Sequence, residues 1–220
     1  MRLTPARFEL VIFDCDGVLI DSEPLANRLL AAHLTEIGLP TTPEQSFERY
    51  HGMSYPAGFA RVEQELGRRL PAGFEAEHWR RLELLLAEEL EAVPFVHDAL
   101  ARIATPACVA SNGRRATMQK TLAKTGLISR FDGRIFSADD VARPKPAPDL
   151  FLHAAERMGA EPARCAVIED SPHGVAAGVA AGMTVFGFAA QTDAGVLAAA
   201  GARVFRDMRA LPDLLEPKSY

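Results

Sequence analysis

The chain has 220 residues, of which 48% are hydrophobic and 24% charged, a balance that excludes disordered and collagen-like classes. Twenty-four basic residues against 29 acidic ones give a net charge of −5, which argues against a nucleic-acid backbone as partner. Three cysteines, Cys15, Cys108 and Cys165, are too few and too scattered for a disulfide framework or a zinc site, and read as small buried hydrophobes of a reducing compartment.

Arg2, Arg7 and Glu9 precede a short apolar stretch without a small-residue cleavage site, so no signal peptide is expected. That stretch, 8–13, reads as a strand buried on both faces. From 21 to 92 the pattern is helical throughout, with runs over 24–37, 43–50, 55–66 and 74–90. Gly38-Leu39-Pro40, Gly52 and Leu70-Pro71-Ala72-Gly73 separate these runs. Beyond it, apolar runs at 107–110, 166–168 and 184–188, with a short edge strand at 204–205, alternate with helical patterns. The helices fall at 96–104, 114–125, 149–158, 174–181 and 194–200. Residues 171–192 carry no charged side chain other than a protonated His173. That length could span a bilayer. Pro172, four glycines and a shift from Ala-rich to β-branched and aromatic composition instead mark a helix followed by a buried strand. The expected fold is α/β: a doubly wound parallel sheet from 1–20 and 93–220, with an all-helical domain, 21–92, inserted after the first strand. Ligands of such sheets collect outside the carboxyl ends of the strands.

Asp14-Cys15-Asp16-Gly17 follows the first strand directly. The turn at Gly17 can bring both carboxylates toward one ligand, and close carboxylates call for a cation such as Mg²⁺. Alone, this is also what a strand-end turn with two capping aspartates looks like. Ser111-Asn112-Gly113 ends the second strand and opens a helix, where a hydroxyl and backbone N–H groups suit an anion. Arg143-Pro144-Lys145-Pro146 fixes one lysine between prolines, and Glu169-Asp170-Ser171 puts two more carboxylates at the end of a third strand. Polar groups of phosphate-and-metal type thus recur at one edge of the sheet.

In this order the four motifs, followed by Ala-Ala-Gly-Met at 180–183, resemble the haloacid dehalogenase superfamily over about Phe13 to Met183. The insertion 21–92 resembles its helical cap. The resemblance implies that Asp14 is a nucleophile forming an aspartyl phosphate. It implies that Asp16 is the general acid and then the base, and that its backbone carbonyl ligates Mg²⁺. Asp14 and Asp170 complete the metal site, with Glu169 as ligand or neighbouring partner, while Ser111, Asn112 and Lys145 hold the phosphoryl group. The implied enzyme is a cytoplasmic, monomeric, Mg²⁺-dependent phosphatase of a small phosphorylated metabolite that binds neither nucleic acid nor membrane. A helical lid favours substrates small enough to be enclosed.

Within the superfamily the chain is similar to the group of β-phosphoglucomutase and bacterial sugar and sugar-acid phosphatases. His51-Gly52-Met53 and the stretch 106–119 resemble 6-phosphogluconate phosphatases. A mutase of this group carries a histidine and an arginine where this chain has Ala26 and Tyr55, so phosphate release is expected over isomerisation. Carbon–halogen hydrolysis is disfavoured by Asp16, and a phospho-receiver module by the long helical insertion. The spacing Cys108-x5-Arg114 matches cysteine phosphatases, but its Cys sits within a strand pattern, where burial raises a thiol pKa. Arg49, His51 and Ser54 are candidates for specificity, and Arg114 or Arg115 for a second anionic group. His33, His78 and His153 read as core-edge or surface residues, and His173 as a solvated helix-start residue that could touch the site.

Overall fold

A computed structural model describes residues 8–50, 53 and 55–215. The chain divides into two compact units, one formed by the described parts of Met1–Ile20 and Glu91–Tyr220, the other by Asp21–Leu90.

The first unit is built on six parallel strands: β1 (Leu10–Phe13), β2 (Ala107–Ser111), β3 (Ile135–Ser137), β4 (Cys165–Glu169), β5 (Thr184–Phe188) and β6 (Arg203–Phe205). Their order is β3-β2-β1-β4-β5-β6. The central strands β1, β2 and β4 are buried along their whole length, as their uninterrupted apolar runs require, whereas β6 is exposed at its start. The sequence pattern omits β3. Three residues after the polar Gly133-Arg134 leave no periodicity to read, and β3 is fixed by pairing with β2, Val109 opposite Ile135.

Of the ten α-helices among the described residues, four, α1 (Glu23–Glu36), α2 (Pro43–Tyr50), α3 (Tyr55–Leu66) and α4 (Phe74–Glu89), belong to the second unit. The others are α5 (Val96–Arg102), α6 (Arg115–Lys124), α7 (Asp149–Met158), α8 (Pro172–Ala180), α9 (Ala194–Ala199) and α10 (Leu211–Leu215). On one face of the sheet Leu10, Ile12, Val167 and Val185 pack with Phe151 of α7, Val175 of α8 and Leu197 of α9. Helix α8 comes close because Gly178 lacks a side chain: a Cβ there would stand 2.7 Å from Val185 Cγ2. Its start is fixed by Ser171, whose hydroxyl accepts from the Gly174 N–H, and by Pro172 in the first turn.

In the second unit Leu34, Tyr50, Phe59, Val62 and Phe74 form a small core. His33 and His78 lie inside it rather than at its edge, 4% and 0% exposed. His33 stacks on Phe74 at 4.3 Å, and the two imidazole Nδ1 atoms approach to 3.4 Å. The expectation of an edge or surface position fails for a readable reason. His78 stands four residues from both Phe74 and Leu82, on the buried stripe of α4.

Candidate active site

The strand order reverses between β1 and β4, the switch point where open α/β sheets bind ligands. Phe13 and Ile168 are register partners there, so Asp14 and Glu169 leave neighbouring strands side by side. The Asp14 N–H still donates to the Ile168 carbonyl at 2.9 Å. The chain then turns sharply. The Cys15 carbonyl accepts from Leu19 and Ile20, and Gly17 takes a positive φ of 74°. Only glycine suits position 17 for a second reason: an added Cβ would sit 1.9 Å from Asp170 Oδ2. The Asp170 carboxylate therefore lies directly over the turn that carries Asp14 and Asp16.

Lys145 reaches this cluster across 131 residues of sequence. Its buried ammonium donates to Asp14 Oδ1 at 2.6 Å and to Glu169 Oε1 at 2.7 Å, and lies 4.5 Å from the centre of the Phe151 ring. The backbone of Lys145 is fixed as well. Its N–H donates to Asn112 Oδ1 and its carbonyl accepts from Asn112 Nδ2, both at 3.0 Å. The Asn112 side chain thus joins the loop after β2 to Lys145, and Ser111 Oγ, buried, accepts from the Gly113 N–H at 3.2 Å. A Cβ on Gly113 would stand 3.6 Å from Ser111 Oγ and 3.9 Å from Asp16 Oδ2, which places Asp16 beside the same loop.

Burial pushes the Asp14 carboxyl up to about 7; Lys145 opposes the rise, and the Glu169 and Asp16 charges add to it. Burial alone would lower the Lys145 ammonium, but Asp14 and Glu169 outweigh it and hold it above its ordinary value. One ammonium balances one charge, and the cluster holds more than one carboxylate. Asp14, Glu169 and Asp170 each offer an oxygen, all within 4.8 Å of one another. Hard oxygen donors gathered in a buried cluster short of positive charge are a fitting seat for a divalent cation of the Mg²⁺ type.

The remaining candidates lie elsewhere or are engaged otherwise. The Arg115 guanidinium bonds the Ile135 carbonyl and Asp140, leaving exposed Arg114 as the available arginine of the pair. Arg49, in the helical unit, pairs with Glu65 at 3.4 Å. His51, Ser54 and the side chain of Tyr55 lie outside the described residues, and His173 is exposed. All three cysteines are buried and free. Burial raises the Cys108 thiol far above its ordinary value, opposite to what a thiolate nucleophile requires. Sequence reading assigned no part to Ser171, whose hydroxyl donates to Glu169 Oε2 at 2.9 Å.

A family model described as haloacid dehalogenase-like hydrolase matches residues 8–182. The chain belongs to this family. The 6-phosphogluconate phosphatase of Escherichia coli K12 is 35% identical over 217 residues, 98% of each chain. A solved haloacid dehalogenase-like protein of unknown function from Agrobacterium tumefaciens shares 39% identity and superposes with a TM-score of 0.88, covering 94% of this chain and 97% of its own. A family hydrolase of Deinococcus radiodurans with bound phosphate and sodium shares 30% identity at a TM-score of 0.82, covering 97% and 100%. This haloacid dehalogenase-like hydrolase is therefore an enzyme of a family with several curated phosphatases. Among the described residues no helix is long and apolar enough to cross a membrane.

Proposed function

We propose that the chain is a Mg²⁺-dependent phosphatase of a small sugar or sugar-acid phosphate, with 6-phosphogluconate as the first substrate to test. The observation that carries this reading is the buried Asp14 carboxylate, held at 2.6 Å by Lys145 where the sheet order reverses. The full-length likeness to a 6-phosphogluconate phosphatase supports the substrate class. Exposed Arg114, next to the loop after β2, would suit the carboxylate of a sugar acid.

In this reading an Asp14 oxygen attacks phosphorus and the ester P–O bond breaks. Asp16 gives its proton to the leaving alkoxide. It then takes a proton from the water that attacks the aspartyl phosphate, and the Asp14–phosphorus bond breaks to release inorganic phosphate. Lys145, Ser111 and the N–H groups after Ser111 face the phosphoryl oxygens, while Asn112 also holds Lys145 in register. Mg²⁺, held by Asp14, Asp16 and Asp170 with Glu169 beside it, would supply neutralisation of those oxygens. The insertion 21–92 is assigned as the cap domain, and the enzyme as a cytoplasmic monomer.

The test is a phosphate-release screen over sugar phosphates, sugar-acid phosphates and nucleotides, with and without Mg²⁺, alongside Asp14→Asn. Sugar-acid phosphates should lead, exhaustive chelation should abolish release, and Asp14→Asn should lower turnover by about 10³-fold or more. Activity indifferent to chelation would remove the metal from the scheme. Faster conversion of β-glucose 1-phosphate to glucose 6-phosphate than release of phosphate, with a bisphosphate primer, would make the enzyme a mutase.

A further inference from the structure

Glu169 has both oxygens engaged. Oε1 accepts from Lys145, and Oε2 accepts from the Asp170 N–H at 3.1 Å, the Ser171 N–H at 3.0 Å and the Ser171 hydroxyl at 2.9 Å. The carboxylate lies against the start of α8 so closely that a Cβ on Gly174 would stand 1.7 Å from Oε1. Its orientation is thus set by the loop that starts α8, and the orientation in turn sets where Oε1 meets the ammonium.

We propose that Ser171 is a positioning residue for Lys145, acting through Glu169. The inference rests on the phosphatase reading and assigns part of its machinery to a residue that touches neither phosphate nor Lys145. The Ser171 hydroxyl accepts from the Gly174 N–H at 3.0 Å while donating its proton to Glu169 Oε2. An N-cap needs only the accepting half of that arrangement. The donating half needs a cap that also carries a proton, which a carboxylate cap lacks. Without the donor, Oε2 keeps two backbone N–H partners, the carboxylate can turn between them, and Oε1 no longer meets Lys145 at a fixed point. Phosphoryl transfer is sensitive to such drift, because displacement of a catalytic group by on the order of 1 Å can lower the rate about 100-fold.

The experiment measures the inhibition constant of orthovanadate, which adopts the five-coordinate geometry of phosphoryl transfer, against p-nitrophenyl phosphate hydrolysis by the Mg²⁺-loaded full chain. Ser171→Ala and Ser171→Gly should raise that constant about tenfold, and Ser171→Thr, which keeps the hydroxyl, should leave it within about twofold. Glycine is a tolerated N-cap, so Ser171→Gly holds the fold while removing the proton donor. A merely structural role lowers the number of active molecules, and hence turnover, without moving the inhibition constant. On a Glu169→Ala background Ser171→Gly should add nothing. Unchanged inhibition constants in both hydroxyl-free variants overturn the proposal, as does a full Ser171→Gly effect without Glu169. A wild-type chain inert toward every ester overturns the phosphatase reading and this inference together, an outcome distinct from an active wild type with unaffected variants.

Discussion

In the α/β unit, carboxylates gather at the ends of β1 and β4 around one buried ammonium. In the helical unit, two imidazoles stack among Phe59 and Phe74. Both arrangements place ionisable groups out of water, but the helical unit resolves the problem by neutrality and the α/β unit by pairing. Burial, the neighbouring His33 and Arg81 push His78 down to about 4. Burial and Arg81 lower His33 as well, with Glu36 and Glu77 pulling the other way. Neutral histidines can be packed like aromatic rings. Lys145 keeps its charge, and Asp14, which burial raises to about 7, depends on that ammonium to ionise. The comparison separates buried polarity that serves packing from buried polarity that stores an electrostatic field for chemistry.

Lys145→Met should break the paired arrangement of the α/β unit most severely. Removing one partner leaves Asp14 and Glu169 buried without their counter-charge, which should cost about 3–5 kcal/mol of stability. Urea unfolding at pH 7 measures this, and added Mg²⁺ should restore part of the loss by taking the place of the missing charge. Phosphate release should fall at least about 100-fold in the same variant. A variant as stable as the wild type would mean that the carboxylates do not depend on the lysine.

Acid should act on the helical unit. The unfolded chain binds protons at its histidines near the ordinary pKa of 6.5, whereas folded His78 resists until about 4. Between those values the unfolded state holds more protons, so stability is full above about 6.5 and falls as pH drops toward 4. The contribution of His78 is on the order of 3 kcal/mol at the low end of that window. His78→Phe should flatten this part of the stability-versus-pH curve, as read by thermal unfolding at stepped pH.

Cys108→Ser carries the smallest expected effect. The proposed mechanism gives the buried thiol in β2 no part in the chemistry, so turnover per folded molecule should stay within about twofold. Loss of turnover without loss of folding would return the cysteine to candidacy as a nucleophile.

The buried strands β1, β2, β4 and β5 were legible because a strand covered on both faces must be apolar without interruption. Asp14, Asp16 and Asp170 could be read as motifs at strand ends, and Lys145 as a lysine fixed between prolines in a loop. What the sequence concealed depends on contacts between distant residues. Strand β3 exists through its pairing with β2 and has too few residues to show a period. Asn112 bonds the main chain of Lys145, 33 residues away, and nothing local distinguishes that from a side chain aimed at an anion. The Ser171 hydroxyl looks like an ordinary helix cap until the Glu169 carboxylate is placed beside it. The buried histidines are the exception, since their place on the apolar stripe could have been read.

The fit of Asp170 over Gly17 makes two halves of the site, 153 positions apart, a lock and key within one chain. A chimera that joins an amino-terminal half from one relative to a carboxyl-terminal half from another takes the two pieces of that fit from different parents. Any residue larger than glycine in the first half excludes the carboxylate supplied by the second. Exchange between family members is therefore constrained as a pair at these positions, even where the helices between them are free to diverge.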